Sequence, residues 1–226
     1  MDFPFLEREF IEGCALDLCR EAFGEVPLGE VNLDALVYDY LYEEFGVAIY
    51  RDRPLGADGK QDILGITYPL RNEIHIDSRL AESGHRGRYR FTVAHEIGHW
   101  VLHRPLFLEA VGECDDVRMI TLERDVVSAE KSYRPEEWQA NYFAIHLLLN
   151  DRALERAFER RFEEKPLVFK SDCEVEEGAS LRDYSRGIAS MEEGDLGSLS
   201  DYFGLSVEAT AIALEERGYV EERSEG

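Results

Sequence analysis

The segment RFTVAHEIGHWVLH, residues 90–103, constrains this chain more than any other part of its sequence. Apolar residues surround the polar ones, as expected for a helix that is buried on most sides. His95 and His99 are one helical turn apart, so their imidazoles share a face and can bind one metal ion. Glu96 lies on the neighbouring flank, where its carboxylate can reach a water on that metal. The spacing favours a metal-dependent hydrolase, and an ordinary helix with surface histidines is the alternative.

A third metal ligand would decide between these interpretations, because a catalytic zinc usually has three protein ligands and one open position. The best candidate is Glu137 in EEWQANYFA, on the next predicted long helix. Asn141 lies one turn further on, and we expect it to hold the Glu137 carboxylate by a hydrogen bond. His103 is two turns from His95, too far along one helix to share an ion with both other histidines. We therefore interpret His103 as structural.

The sequence gives weaker arguments for a functional role of the remaining histidines and of two tyrosines. His146 is expected to be packed or at the surface, and His85, in a glycine-rich loop, is expected to be solvated. His75, in the predicted strand EIHID, can approach the site but has no spacing argument behind it. Peptide hydrolysis also needs a group that stabilises the oxyanion. For this role the sequence leaves Tyr89, Tyr142 and His75 open.

The net charge of the chain limits the kinds of molecule that it can bind as a partner. It has 48 acidic and 25 basic residues, a formal net charge of −23. A surface this negative repels phosphate backbones, which argues against nucleic acid as the main partner. It suits a basic protein partner, although a well-solvated acidic surface explains the composition equally well.

Cysteine usage and hydropathy indicate a reducing, cytoplasmic location. The cysteines form no CxxC pair and no zinc-ribbon spacing, so they are expected to be small core or boundary residues; they are Cys14, Cys19, Cys114 and Cys173. The first residues, MDFPFLEREFIEG, lack the basic start and apolar core of a signal peptide. No apolar run reaches the length needed to cross a membrane.

The order of predicted elements indicates an α+β fold. Two helices come first, one ending near Gly24 and one running from an N-cap at Asn32 to Gly46. The strands VAIYRD, DILGITYP and NEIHID follow, then the histidine helix, a short strand in VRMITLE, and a helix with Pro135 in its first turn. The charged stretch DRALERAFERRFEE predicts a further helix. Residues 166–194 are predicted to be a loose acidic connector, followed by two short helices around GLS.

RFTVAHEIGHWVLH followed by EEWQANYFAIHLLLN resembles the ImmA/IrrE metallopeptidases, whose pattern is RFTxAHExGHxxxH and then ExxANxFAxxLL. DILGITYPLRNEIHID occupies the family's hairpin position, and the resemblance covers residues 30–150. Two departures are the ending LLLND, where the family often has LLMP, and a longer acidic stretch over residues 165–193. Both leave the chemistry intact but weaken any inference about the substrate.

This resemblance implies a site and an activity. The metal ligands would be His95, His99 and Glu137, with Glu96 as general base and Zn²⁺ as the metal, or Mn²⁺ in its place. The implied fold is a zincin-like, gluzincin-type domain with N-terminal helices, a small mainly antiparallel sheet, the HExxH helix and a helix carrying the glutamate ligand. We predict this domain over residues 1–164, and the acidic connector with a small helical segment over residues 165–226. Characterised members of the family cleave helix-turn-helix repressors in mobile elements or DNA-damage responses.

The C-terminal stretch LSDYFGLSVEATAIALEERG also resembles a helix-turn-helix. A DNA-reading helix should bring Arg or Lys near its N-terminus. This one has only acidic charges before Arg217, so we expect no direct DNA binding.

The sequence leaves two functions of different classes open. One is an intracellular metallo-endopeptidase that cuts a protein regulator, and the other is a non-catalytic, metal-containing regulator or toxin-like interaction module. Glu96 favours the enzyme, because a structural zinc prefers four protein ligands and does not need a glutamate beside an open position. For the enzyme, we expect the substrate to pair with an exposed sheet edge near NEIHID.

Overall fold

The structure is a computed structural model of the 226-residue chain. It describes residues 3–58, 61–82, 84–111, 120–123, 134–163, 165–170, 180–192 and 197–223. The chain forms two compact units, the first made of Met1–Pro27 and Val31–Leu148 and the second of Leu28–Glu30 and Leu149–Gly226. The domain boundary expected after residue 164 stays a prediction.

The first unit combines long helices with a small sheet. Its helices are α1 (Arg8–Phe23), a π-helical segment (Ala35–Tyr42) that continues into α2 (Glu43–Phe45), α3 (Ser78–Glu82), α4 (Arg86–Val111) and α5 (Pro135–Leu148). Its strands are β1 (Ala48–Tyr50), β2 (Ala57–Asp58), β3 (Gln61–Tyr68), β4 (Glu73–Ile76) and β5 (Ile120–Glu123). Helices before and after a small sheet confirm the predicted α+β class, and β5 confirms the strand expected in VRMITLE.

The predicted helix ends are largely confirmed. Gly24 ends α1 in a left-handed conformation with a φ of 77°, which glycine adopts without a steric cost. The Asn32 side chain accepts a hydrogen bond from the backbone N–H of Ala35 at 3.1 Å, as an N-cap does. Gly46 follows α2 with a φ of 67°, and Pro135 is the first residue of α5.

The sheet has the strand order β1-β4-β3-β2, and β5 pairs with β3. All its pairs are antiparallel except β1 with β4, which is parallel. The predicted exposed edge at NEIHID was wrong, because β4 lies between β1 and β3. The short strand Ala48–Tyr50 takes the side of β4 that the sequence left open. Among the described strands, β5 pairs on one side only.

The core of the first unit lies where α4 and α5 pack together. Ile97 of α4 and Phe143 of α5 are fully buried. The helices approach closely at Gly98, where a Cβ would lie 3.0 Å from Cδ1 of Phe143 and 3.2 Å from the carbonyl oxygen of Ala140. Truncating a buried phenylalanine such as Phe143 costs about 3–5 kcal/mol. This packing fixes the distance between the two helices that carry the predicted metal ligands.

Helix α4 is 26 residues long and continues past His103 through Pro105. Its length alone would suffice for a membrane span, but its interior carries charged and histidine side chains. Within the described part of the chain, no helix is both long and apolar enough to cross a membrane.

The described cysteines agree with the sequence prediction. Cys19 is buried and Cys14 is half-buried, both on α1. Burial raises the pKa of the Cys19 thiol to about 11, so it behaves as a small core residue and not as a reactive thiolate. Cys114 and Cys173 lie outside the described residues.

The second unit contains α6 (Asp151–Glu159), α7 (Leu181–Ser190), α8 (Leu199–Phe203) and α9 (Val207–Glu216), with β6 (Leu167–Lys170) pairing in parallel with β7 (Val220–Arg223). The two short helices expected around GLS are confirmed as α8 and α9. The loose connector predicted over 166–194 was wrong for its described part, which forms β6 and α7. A Ser180 capping box starts α7, and Arg182 binds Glu215 at 2.8 Å and Glu208 at 2.9 Å on α9. These tertiary contacts stabilise a segment whose own pattern is weak.

Candidate metal centre

Helices α4 and α5 bring the three predicted ligands together. The Nε2 atoms of His95 and His99 lie 2.9 Å apart. Glu137 places Oε2 3.4 Å from Nε2 of His95 and Oε1 3.6 Å from Nε2 of His99. Ligands at about 2.0–2.1 Å from a tetrahedral zinc lie about 3.3 Å from one another, within the span of these distances. The three side chains therefore fit one metal ion, and a fourth position is left for water or substrate.

Asn141 orients His95 and not Glu137, which corrects the sequence prediction. Its Oδ1 lies 2.9 Å from Nδ1 of His95. Because α4 and α5 approach so closely, the amide of Asn141 reaches across to the facing helix instead of along its own. An oxygen acceptor at Nδ1 keeps the proton there and leaves the lone pair of Nε2 directed at the cluster.

The electrostatics of the cluster favour a bound cation. Burial alone would lower the pKa of His95, but the carboxylates of Glu137 and Glu96 outweigh it and raise that pKa. Burial, with the neighbouring histidines His95 and His103, lowers the pKa of His99 well below its usual value. The site thus stabilises positive charge between His95 and Glu137 while His99 stays neutral. Zinc binding requires neutral imidazoles and an ionised carboxylate.

Glu96 is fully buried beside the cluster, and its two carboxylate oxygens differ in their surroundings. Oε2 lies 2.5 Å from the hydroxyl oxygen of Thr67, which donates to it. Oε1 has no hydrogen-bond partner among the described residues. Burial raises the pKa of Glu96 to about 8, against the opposing effects of His95 and Thr67. One oxygen is held in place, and the other is free to accept a proton.

A family model described as the IrrE N-terminal-like domain, a peptidase domain, matches residues 42–215. The chain belongs to this family. The match includes HExxH and ExxAN and extends through both compact units, so it confirms the resemblance drawn from the sequence. Comparison with curated proteins gives no significant match. Membership in this peptidase family implies metal-dependent peptidase activity.

Two residues of β3 that support Glu96 escaped the sequence analysis. A Cβ on Gly65 would lie 2.4 Å from Oε1 of Glu96, so only glycine leaves room for the carboxylate. The Thr67 hydroxyl lies within 3.0 Å of the Glu96 backbone oxygen as well as bonding its side chain. A glycine inside a strand often marks the close approach of another group, which was the only available indication. Thr67 gave none, because its partner lies 29 residues away on another element.

The other histidines lie where the sequence allowed. His103 is buried outside the cluster, with its Nδ1 3.0 Å from Nδ1 of His99, as a structural histidine can be. Nδ1 of His146 lies 2.9 Å from the carbonyl oxygen of Tyr142 on the same helix, so His146 is packed. His85 is exposed, as predicted.

The structure places the three candidates for oxyanion stabilisation in different surroundings. His75 binds Glu73 at 3.2 Å within β4. Tyr89 faces the guanidinium of Arg51 at 5.6 Å, and the ring of Tyr142 packs against that of His146. The choice among the three stays a prediction.

Proposed function

We propose that this chain is a zinc-dependent endopeptidase with a zincin-like catalytic domain. In it His95, His99 and Glu137 hold the metal, and Glu96 is the general base. The observation that carries the proposal is a buried glutamate whose Oε1 has no partner in the described part of the chain, beside a cluster of two histidines and one carboxylate. Family membership supports the peptidase activity.

The proposed chemistry divides between the metal and Glu96. A metal bound in such a site acidifies water and polarises a peptide carbonyl. Oε1 of Glu96 accepts the proton of the attacking water and passes it to the amine that leaves. Thr67 holds Oε2 during both transfers, so the carboxylate keeps one orientation. Burial of the Glu96 carboxylate excludes bulk water that would otherwise compete for the proton.

Glu96 also argues against the alternative of a purely structural metal. Leaving a buried polar group without a partner costs about 1–3 kcal/mol. A structural zinc site is usually closed by four protein ligands, whereas the cluster in the described part of the chain has three. An open position and a free base are useful in hydrolysis and have no role in a purely structural site.

Metal removal and restoration test this proposal. The purified chain is stripped with a chelator and titrated with Zn²⁺ or Mn²⁺, and cleavage of an unfolded protein substrate is followed at each step. We expect stripping to abolish cleavage and about one equivalent of Zn²⁺ to restore it. Full cleavage by the metal-free chain would contradict the proposal.

We further propose that the substrate is a helix-turn-helix repressor, whose cleavage in the cytoplasm relieves repression in a mobile-element or stress response. The resemblance to the ImmA/IrrE peptidases motivates this substrate, and the net charge of −23 favours a basic, DNA-binding partner. Binding should weaken as salt rises, because salt screens the attraction between exposed charges. A repressor encoded beside this chain is the substrate to assay first. Binding that does not change with salt concentration would show that charge attraction does not contribute.

The side of β5 that pairs with no described strand is the edge along which we expect the substrate backbone to pair. β5 lies next to β3, and β3 carries Gly65 and Thr67 against Glu96. An extended peptide added to this edge would lie one strand away from the residues that support the general base. Replacing Thr121 by proline removes one backbone donor from β5, and we expect it to raise KM more than it lowers kcat.

A further inference from the structure

The orientation of Gln139 is fixed from outside the metal cluster. This residue is fully buried on α5, and its Nε2 donates to the carbonyl oxygen of Pro4 at 2.7 Å. A carbonyl can only accept, so the nitrogen of the amide must face Pro4 and Oε1 must face the other way. Oε1 lies 2.9 Å from Nε2 of His103.

The fixed amide determines which ring nitrogens carry protons. Oε1 of Gln139 can only accept, so Nε2 of His103 must donate. His103 is fully buried between a neutral amide and another imidazole, where an unpaired charge would be costly, so the ring keeps one proton, at Nε2, and its Nδ1 is an acceptor. That Nδ1 lies 3.0 Å from Nδ1 of His99, which must therefore carry the proton. The proton is thereby excluded from Nε2 of His99.

The tautomer of His99 determines whether its Nε2 can bind a metal in the cluster. Nε2 of His99 lies 2.9 Å from Nε2 of His95, and His95 is held in the same tautomer by Asn141. Both rings direct lone pairs at the same point, which is the arrangement that a cation needs. If His99 adopted the other tautomer, a proton would occupy the position of the metal–nitrogen bond.

We propose that Pro4, Gln139 and His103 form a positioning relay that holds His99 in its metal-binding tautomer. The relay makes the N-terminal segment part of the support of the metal centre. Phe3 packs edge-on against the ring of His103 at 5.1 Å, and Phe5 stacks on Trp138 at 6.1 Å. The inference rests on the proposed metal site, and it deepens that proposal by assigning roles to residues that touch neither metal nor substrate.

Three variants of the full chain test the relay. Gln139→Met keeps the length of the side chain but removes both hydrogen bonds. His103→Phe keeps a ring but offers no acceptor to His99, whereas His103→Gln keeps an acceptor and a donor at the end of the side chain. His146→Phe is the matched control, since it removes another buried histidine of the same unit whose Nδ1 contacts its own helix.

The readouts are Zn²⁺ affinity by chelator competition, the visible spectrum of the Co²⁺-loaded chain, and the melting temperature of the metal-free chain. We expect Gln139→Met and His103→Phe to weaken Zn²⁺ binding about 10–100-fold and to alter the Co²⁺ bands. His103→Gln should return the affinity to within a few-fold of wild type. His146→Phe should leave both the affinity and the spectrum unchanged.

These outcomes separate the relay from the proposed function. Wild-type affinity and an unchanged Co²⁺ spectrum in Gln139→Met and His103→Phe would overturn the relay while leaving the metal site intact. If the wild-type chain does not bind Zn²⁺, the proposed function itself fails. If Gln139→Met does not fold, as its melting curve would show, the comparison of His103→Phe with His103→Gln decides alone.

Discussion

The Thr67 hydroxyl lies 2.5 Å from Oε2 of Glu96, so a strand of the sheet holds one oxygen of the buried carboxylate while Oε1 keeps no partner among the described residues. This arrangement determines which oxygen can accept a proton. It also links the sheet to the helix that carries both proposed histidine ligands. The first prediction follows from this contact.

Thr67→Val replaces the hydroxyl by a methyl group of similar size. We expect kcat to fall roughly tenfold, as part of the 10²–10⁴-fold that a well-placed general base supplies. Metal content should not change, because the described hydrogen bonds of the Thr67 hydroxyl go to Glu96 and not to the proposed ligands. Steady-state kinetics with metal analysis measure both quantities. Thr67→Ser restores the hydroxyl and should recover most of the rate, and equal rates for Val and wild type would exclude this role.

Gly65→Ala tests the space beside Glu96. The added Cβ would lie 2.4 Å from Oε1 of Glu96, which is closer than real contacts allow, so the carboxylate must move. We expect kcat to fall more than tenfold while the metal stays bound. Gly13→Ala is the matched control, because no atom lies within 4 Å of its added Cβ on α1. That control should retain activity and gain up to about 1 kcal/mol of stability from the better helix former.

Glu137→Ala removes the third proposed ligand. We expect Zn²⁺ affinity to fall by at least two orders of magnitude, since a site of two histidines alone leaves two positions to water. Glu136→Ala removes the adjacent carboxylate from the same helix turn and should bind Zn²⁺ like wild type. Chelator competition measures both, and equal affinities for the two variants would mean that the ligand is another residue.

The proximity of the two proposed histidine ligands could be predicted because their spacing is local. Residues one turn apart on a helix must share a face, which placed His95 beside His99 before any tertiary structure was known. The separation of α4 from α5 is not local. It depends on packing at Gly98, and for that reason the sequence assigned Asn141 to Glu137 when it binds His95.

The fold shows the same division between local and long-range information. Helix ends at Gly24 and Gly46 followed from the conformations that glycine permits. The position of β4 inside the sheet did not follow, because strand order depends on which distant segment pairs with each edge. Strand β6 was missed for the same reason, since its partner β7 lies about 50 residues further along the chain.

The stability of the first unit should depend on Asp77 in a predictable direction with pH. Burial would raise the pKa of this carboxyl, but hydrogen bonds from Arg79 and from the backbone N–H of Leu55 outweigh it and lower the pKa. A lowered folded-state pKa stabilises the chain above the unfolded value, near 4, and this contribution is lost as the pH falls through the folded-state pKa.

Asp77→Asn therefore should cost about 1.5–3 kcal/mol at pH 7, the usual range for hydrogen bonds to a charged group. Urea unfolding at pH 7 and near pH 3 measures the difference between the variant and wild type. We expect that difference to shrink at the lower pH. A difference that stays constant across this range would show that the charge of Asp77 contributes nothing.

The most direct test of the central claim is Glu96→Gln, assayed for bound metal and for peptide cleavage in the same preparation. The variant keeps the size of the side chain and the three proposed ligands, but its amide cannot accept and return a proton. We predict about one metal ion per chain, as in wild type. Cleavage should be reduced about 10²–10⁴-fold. Wild-type cleavage by Glu96→Gln, with the metal bound, would contradict the account.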